Sequence, residues 1–98
     1  MQFRFKSRKL EQLYYNDKDD HHYPSDVVGV FFEVMATLAA ATDERDLYAF
    51  KGLHFEKLKG KRKNEHSLRL NDQFRLIVTI EQDEQEKFLF IISIEDYH

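Results

Sequence analysis

Cysteine and tryptophan are missing from this 98-residue chain, proline occurs once and glycine three times. Without cysteine there is no disulfide, no thiolate nucleophile and no cysteine-held zinc. The scarcity of glycine and proline argues against a loop-rich or low-complexity chain. No apolar run approaches the roughly 20 residues of a membrane-spanning helix. The opening stretch MQFRFKSRKL carries charge where a secretory signal has its apolar segment. These absences leave a soluble cytoplasmic protein, with no membrane partner, folded as one domain over residues 1–98.

What is present is aromatic and charged. Nine Phe and five Tyr can build a compact core in a chain of this length. The net charge of −3 conceals segregation: residues 1–9 carry +4, residues 10–50 carry −7, residues 51–75 carry +5 and residues 76–98 carry −5. A basic block inside a mildly acidic protein indicates a local anion site rather than a general nucleic-acid coat.

Periodicity divides the chain into elements. MQFRF alternates Phe3 and Phe5 with polar residues, as a short strand does. In SRKLEQLYY, Ser7 can cap a helix whose Leu10, Leu13 and Tyr14 fall at helical spacing. After the polar loop NDKDDHHYP, Ser25 is placed to cap the clearest helix. Its core stripe is Val27, Val30, Phe31, Val34, Met35 and Leu38. Gly29 sits inside that helix at a cost of about 1 kcal/mol against Ala, which suggests close packing. From residue 52, LHFEKLKG, HSLRL, FRLIVTIEQ and KFLFIISIE read as strands, the last apolar enough to be covered on both faces. The expected architecture is α+β: a short N-terminal strand, two helices, then a mainly antiparallel C-terminal sheet with the helices packed on one face.

The stretch SLRLNDQFRLIV carries a register argument. Leu68, Leu70, Phe74 and Leu76 are all even-numbered and all belong on the core side. In an antiparallel pair facing residues have a constant index sum, so the hairpin must turn about Asp72 through the loop Asn71-Asp72-Gln73. Such a three-residue loop usually contains a left-handed residue. Arg69 then lies directly opposite Arg75 on the non-core face, with Cβ atoms roughly 5 Å apart. Like charges so placed require an anion. Nearby Asp or Glu can supply it, or the arginines await a phosphate, which guanidinium binds in planar bidentate fashion. Lys57, Lys59, Lys61, Arg62 and Lys63 close by favour phosphate. His66, next to Glu65, reads as a surface pair, and DDHH (Asp19 to His22) as a solvated loop rather than a metal site.

FEKLKG, HSLRLNDQFRLIV and a last strand ending IEDYH together resemble the HigB-type killer toxins of the RelE/ParE superfamily of bacterial toxin–antitoxin modules. The resemblance covers nearly the whole chain, including LAAATDERDL after the second helix. It implies a RelE-like fold and a ribosome-dependent mRNA endonuclease that needs no metal or other cofactor. In that reaction the ribose 2′-hydroxyl attacks the adjacent phosphate. Carried over by position, the functional residues are Lys59, Arg69, Arg75, Asp96, Tyr97 and His98; the basic block adds Lys57, Lys61, Arg62 and Lys63 as RNA contacts. Where many relatives have a histidine three positions before the LKG lysine, this chain has Glu56. The implied partners are the ribosome, mRNA and a HigA-like helix-turn-helix antitoxin, with operator DNA reached only through that antitoxin. Two other readings fit the same fold: a ParE-like gyrase inhibitor, and a toxin that binds its antitoxin without cutting RNA.

Overall fold

The computed structural model describes residues 1–16 and 23–96. DDHH, Tyr97 and His98 lie outside the described residues. The order of elements is β1 (Gln2–Phe5), α1 (Arg8–Asn16), α2 (Ser25–Ala40), α3 (Glu44–Ala49), β2 (Glu56–Lys57), β3 (Glu65–Arg69), β4 (Phe74–Gln82) and β5 (Lys87–Asp96). Single 3₁₀ turns at Lys51–Leu53 and Gly60–Arg62 flank β2.

The strands form one five-stranded sheet in the order β1-β5-β4-β3-β2. All neighbours are antiparallel except β1, which runs parallel to β5. β5 is thus paired on both sides, as its nearly unbroken apolar sequence requires. The helices pack on one face. Leu10 and Leu13 from α1, Val27, Phe31, Val34, Met35 and Leu38 from α2, and Leu47 from α3 meet Leu68, Leu70, Leu76, Val78, Leu89 and Ile91 of the sheet side. Five of the six stripe residues expected on α2 are buried, and Val30 packs partly buried against them.

Local chemistry explains the ends of the elements. The Leu10 amide donates to Ser7 Oγ at 3.2 Å, the expected cap of α1. Ser25, expected to cap α2, is instead its first helical residue; Pro24 precedes it, and no side chain caps that end. α3 was absent from the sequence reading. Asp43 caps it by accepting from the Arg45 amide at 2.9 Å, and Asp46 accepts from the Thr42 amide at 2.8 Å. The segment TDERD spells that pattern, an acidic cap with a second carboxylate three residues on. The turn between β4 and β5 is closed by Asp83, which accepts from the amides of Gln85 and Glu86. The guanidinium of Arg4, and then those amides, hold the Asp83 carboxyl at about 2.

β4 and β5 do not keep step throughout. Ile77 faces Ser93, but Val78 faces Ile91, so Ile92 is an extra residue in β5. The bulge lets both Ile91 and Ile94 reach the core side. Ile77, on the opposite face by alternation, is also completely buried.

Gly29 has nothing within 4 Å of where a Cβ would stand, so close packing does not explain it. Gly29→Ala should raise the melting temperature by about 2–8 °C, since Ala is favoured over Gly by roughly 0.5–1 kcal/mol inside a helix. A thermal melt followed by circular dichroism checks this, and an unchanged or lower midpoint contradicts it.

Candidate functional site

The β3–β4 hairpin has the register that its leucines demand. Leu68 pairs with Leu76 and Arg69 with Arg75. The Leu70 amide donates to the Phe74 carbonyl at 3.0 Å. Arg69 and Arg75 therefore occupy the alternate, non-hydrogen-bonded pair, which brings side chains closest. The loop uses no left-handed residue; among the described non-glycine residues only His54 has positive φ. Instead Asn71 Oδ1 accepts from the amides of Gln73 at 2.8 Å and Phe74 at 2.7 Å, an Asx turn. The side-chain Nδ2 of Asn71 donates to Asp26 at 3.1 Å, fastening the hairpin tip to the start of α2.

The two arginines are held differently. Arg69 forms an ion pair with Asp72 of its own loop, a residue whose side chain is 93% exposed. Arg75 Nη1 donates to the His54 carbonyl at 3.3 Å and to Ser67 Oγ at 3.5 Å. Those two acceptors are uncharged, so they aim the guanidinium without cancelling its charge. His54 turns its carbonyl there from a left-handed conformation, φ 48 and ψ 51, which histidine tolerates better than most side chains.

Arg62, expected to contact RNA, is partly exposed and paired with two carboxylates of the protein. Its guanidinium donates to Glu65 Oε1 at 2.7 and 3.1 Å, and to the two Glu95 oxygens at 2.8 and 2.7 Å. Glu65 belongs to β3 and Glu95 to β5, so this contact reaches across β4 on the arginine face, where Ile77 lies buried between them. Ser93 Oγ donates to Glu95 at 3.3 Å. Hydrogen bonds from Arg62 hold the Glu95 carboxyl below its ordinary range, against the opposing effect of burial. The two carboxylates hold Arg62 firmly protonated.

Glu95 and Glu65 did not figure among the sequence candidates. Glu95 lies directly opposite Arg75, whereas Asp96 lies opposite Phe74. The carboxylate beside Arg75 on this face is thus Glu95. Asp96 accepts from Gln73 Nε2 at 3.0 Å, tying the end of β5 to the arginine hairpin. A clue was available in the spacing Leu89, Ile91, Ile94, which breaks strict alternation and marks the bulge.

The lysines do not all join the arginines. Lys57 pairs with His66 in the β2–β3 ladder, and Glu56 pairs with Ser67, so Lys57 points to the helix side and Glu56 to the arginine side. Lys57, Lys59 and Arg62 line an open groove of about 500 Å³ together with Glu56 and Leu58. Lys61 and Lys63 are exposed. His66 is buried rather than a surface residue. No group of three or more His, Asp or Glu is placed to hold a metal among the described residues. No described helix is long and apolar enough to cross a membrane.

Comparison with known proteins agrees with this architecture. A family model of the RelE-like toxin of type II toxin–antitoxin system HigB matches residues 3–92. Toxin HigB-1 of Vibrio cholerae serotype O1 is 40% identical over 77 residues, 79% of this chain and 81% of that protein. The fold is similar to the YoeB/ParE toxin from Agrobacterium tumefaciens, with TM-score 0.59 and 14% identity over the full length of both chains. It is also similar to a chain of the YoeB–YefM complex from Staphylococcus aureus, with TM-score 0.60 and 19% identity over 100% of this chain and 97% of that one.

The contact between Arg62 and Glu95 has a consequence for acid stability. A carboxyl held low by folding stabilises the protein fully above its unfolded-state pKa, about 4.3, and loses that contribution as pH falls through the lower folded value. Glu95→Gln should therefore be less stable than the parent near neutrality by about 0.5–1 kcal/mol, a figure reduced for its partial exposure. The two should converge in acid. Urea midpoints between neutrality and strong acid test this; a gap that persists in acid contradicts it.

Proposed function

Because the chain belongs to the RelE-like HigB toxins of type II toxin–antitoxin systems, we propose that it is an endoribonuclease that cuts mRNA on the ribosome and so stops translation. The observation that carries this reading is the direct opposition of Arg69 and Arg75 on a sheet face turned away from the helices. Two guanidiniums at that spacing suit one phosphodiester. Exposed Asp72 is an anion that such a phosphate can displace from Arg69.

RNA cleavage by the internal hydroxyl requires a base, a cationic frame for the phosphate and an acid for the leaving oxygen. The 2′-oxygen gives up its proton and bonds to phosphorus, the bond from phosphorus to the 5′-oxygen breaks, and that oxygen takes a proton. A 2′,3′-cyclic phosphate and a 5′-hydroxyl result. In our assignment Arg69 and Arg75 frame the phosphate and hold it for in-line attack. Lys59 adds a further cation or carries a proton. His98 is the acid or base suited to neutral pH. Tyr97 stacks on a base, as single-stranded RNA is commonly held. Asp96, tied to Gln73 of the hairpin, orients His98 or takes a proton itself. Lys57, Lys61 and Lys63 meet neighbouring phosphates, while Arg62 acts by holding its loop against the sheet.

As a type II toxin the protein has an antitoxin partner. We assign that role to a HigA-like helix-turn-helix protein, through which operator DNA is reached. Action on translating ribosomes places the toxin in the cytoplasm.

Purified protein added to programmed ribosomes should cut mRNA, leaving cyclic phosphate ends. Arg75→Ala and deletion of His98 should each slow cutting by about 10²-fold or more. Normal cleavage by both variants would sink the site assignment. Inhibition of gyrase without cleavage would support the ParE-like reading, and antitoxin binding with neither activity would support a toxin that does not cut.

A further inference from the structure

The edge strand β2 brings a carboxylate to the arginine face. Strand order runs β5-β4-β3-β2, so Arg75 on β4 and Arg69 on β3 lie between the end of β5 and β2. Glu56 of β2 pairs with Ser67 of β3, and Ser67 pairs with Ile77 of β4. These three form a row across the sheet, on the same face as Arg69 and Arg75 and next to them along the strands. The Arg75 guanidinium leans into that row, donating to Ser67 Oγ at 3.5 Å and to the His54 carbonyl at 3.3 Å. Glu56 therefore stands one strand spacing, about 4.8 Å, from the residue that Arg75 touches.

The other carboxylates near the pair are engaged. Glu65 and Glu95 accept from Arg62, Asp72 pairs with Arg69, and Asp96 accepts from Gln73. Glu56 is exposed and makes no ion pair or side-chain hydrogen bond among the described residues. A carboxylate that already accepts from a guanidinium is a weak proton acceptor, whereas one with free lone pairs is not so restrained. Glu56 also lines the open groove of about 500 Å³ that holds Lys59 and Arg62, a cleft of ligand size.

Attack by the 2′-oxygen comes in line with the bond that breaks, so base and acid belong on opposite sides of the phosphorus. With a phosphate framed by Arg69 and Arg75, Glu56 of β2 lies on one side and the end of β5, with Asp96, on the other. We propose that Glu56 is the general base of the cleavage and takes the proton from the ribose 2′-hydroxyl. As that O–H bond breaks, the oxygen bonds to phosphorus and the bond from phosphorus to the 5′-oxygen breaks. The 5′-oxygen takes its proton from Asp96 or His98, which are then acids and not bases. Glu56 ends protonated and the acid deprotonated, and exchange with water resets both. The assignment rests on the RNA-cutting reading above.

Single-turnover cleavage of mRNA on ribosomes is measured for the full chain and for Glu56→Gln and Glu56→Asp, together with affinity for the programmed ribosome. A second mRNA carries sulfur in place of the 5′-oxygen at the linkage that the parent cuts. A thiolate leaves without a proton, so this substrate needs the base but not the acid. Glu56→Gln should cut both substrates slower than the parent by about 10²-fold or more, with unchanged affinity. Glu56→Asp, which keeps a carboxylate, should recover part of the rate. Substitution at an exposed position on an edge strand should leave the fold intact. A parent that cuts while Glu56→Gln matches it overturns the assignment of Glu56 alone. Slow cutting that sulfur restores also overturns it, since Glu56 would then serve the leaving oxygen. Slowing that vanishes at saturating toxin marks a binding contact and overturns it as well. A parent that cuts neither substrate overturns the RNA-cutting reading and this one together.

Discussion

The pairing of Leu68 with Leu76 governs the arginine face. Both side chains are completely buried, so a slip of one residue would turn the apolar set of one strand into solvent. With that pairing set, Arg69 has no choice but to face Arg75. The bulge at Ile92 then sets the end of β5, because it brings Ile94 back to the core side and leaves Glu95 opposite Arg75. A hydrophobic constraint thus holds two like charges together and brings a carboxylate beside them.

The segregated charges meet in a selective way once folded. Arg4 reaches Asp83, Lys87 reaches Glu44 and Arg62 reaches both Glu65 and Glu95. Among the described residues, the acidic end of the chain meets the basic block where Glu95 pairs with Arg62. Arg69 is met by a single exposed aspartate from its own loop, and Arg75 is aimed in part by a carbonyl and a hydroxyl. Blocks of charge along the chain are a poor guide to net field at a surface, since two carboxylates offset one arginine here. They are a good guide to where unneutralised lysines collect, here along the β2 edge.

The features that sequence pattern does not show follow the same division. α3 was missed because it is only six residues long, too short for a periodic signal, although its capping residues were visible. The left-handed turn residue was wrong because Asn71 closes the loop with its side chain, an equally good local solution. His66 was misjudged because its neighbour Glu65 suggested solvent. In a strand adjacent residues face opposite ways, and the side given to His66 is covered by Phe55 and Tyr48.

Strand alternation established the hairpin register and the opposed arginines, helical spacing the core stripe of α2, and an unbroken apolar run the pairing of β5 on both sides. Those features follow from burying apolar side chains at periods of 2 and 3.6, which are local properties of the chain. Which acid meets which base was not local. Arg62 and Glu95 are 33 residues apart, and Asn71 and Asp26 are 45 apart. Their meeting depends on how β5 lies beside β4 and how α2 crosses the sheet. The placing of Lys57 on the helix side and Glu56 on the arginine side likewise came from the pairing of β2 with β3, a two-residue strand whose side assignments no periodicity could reveal.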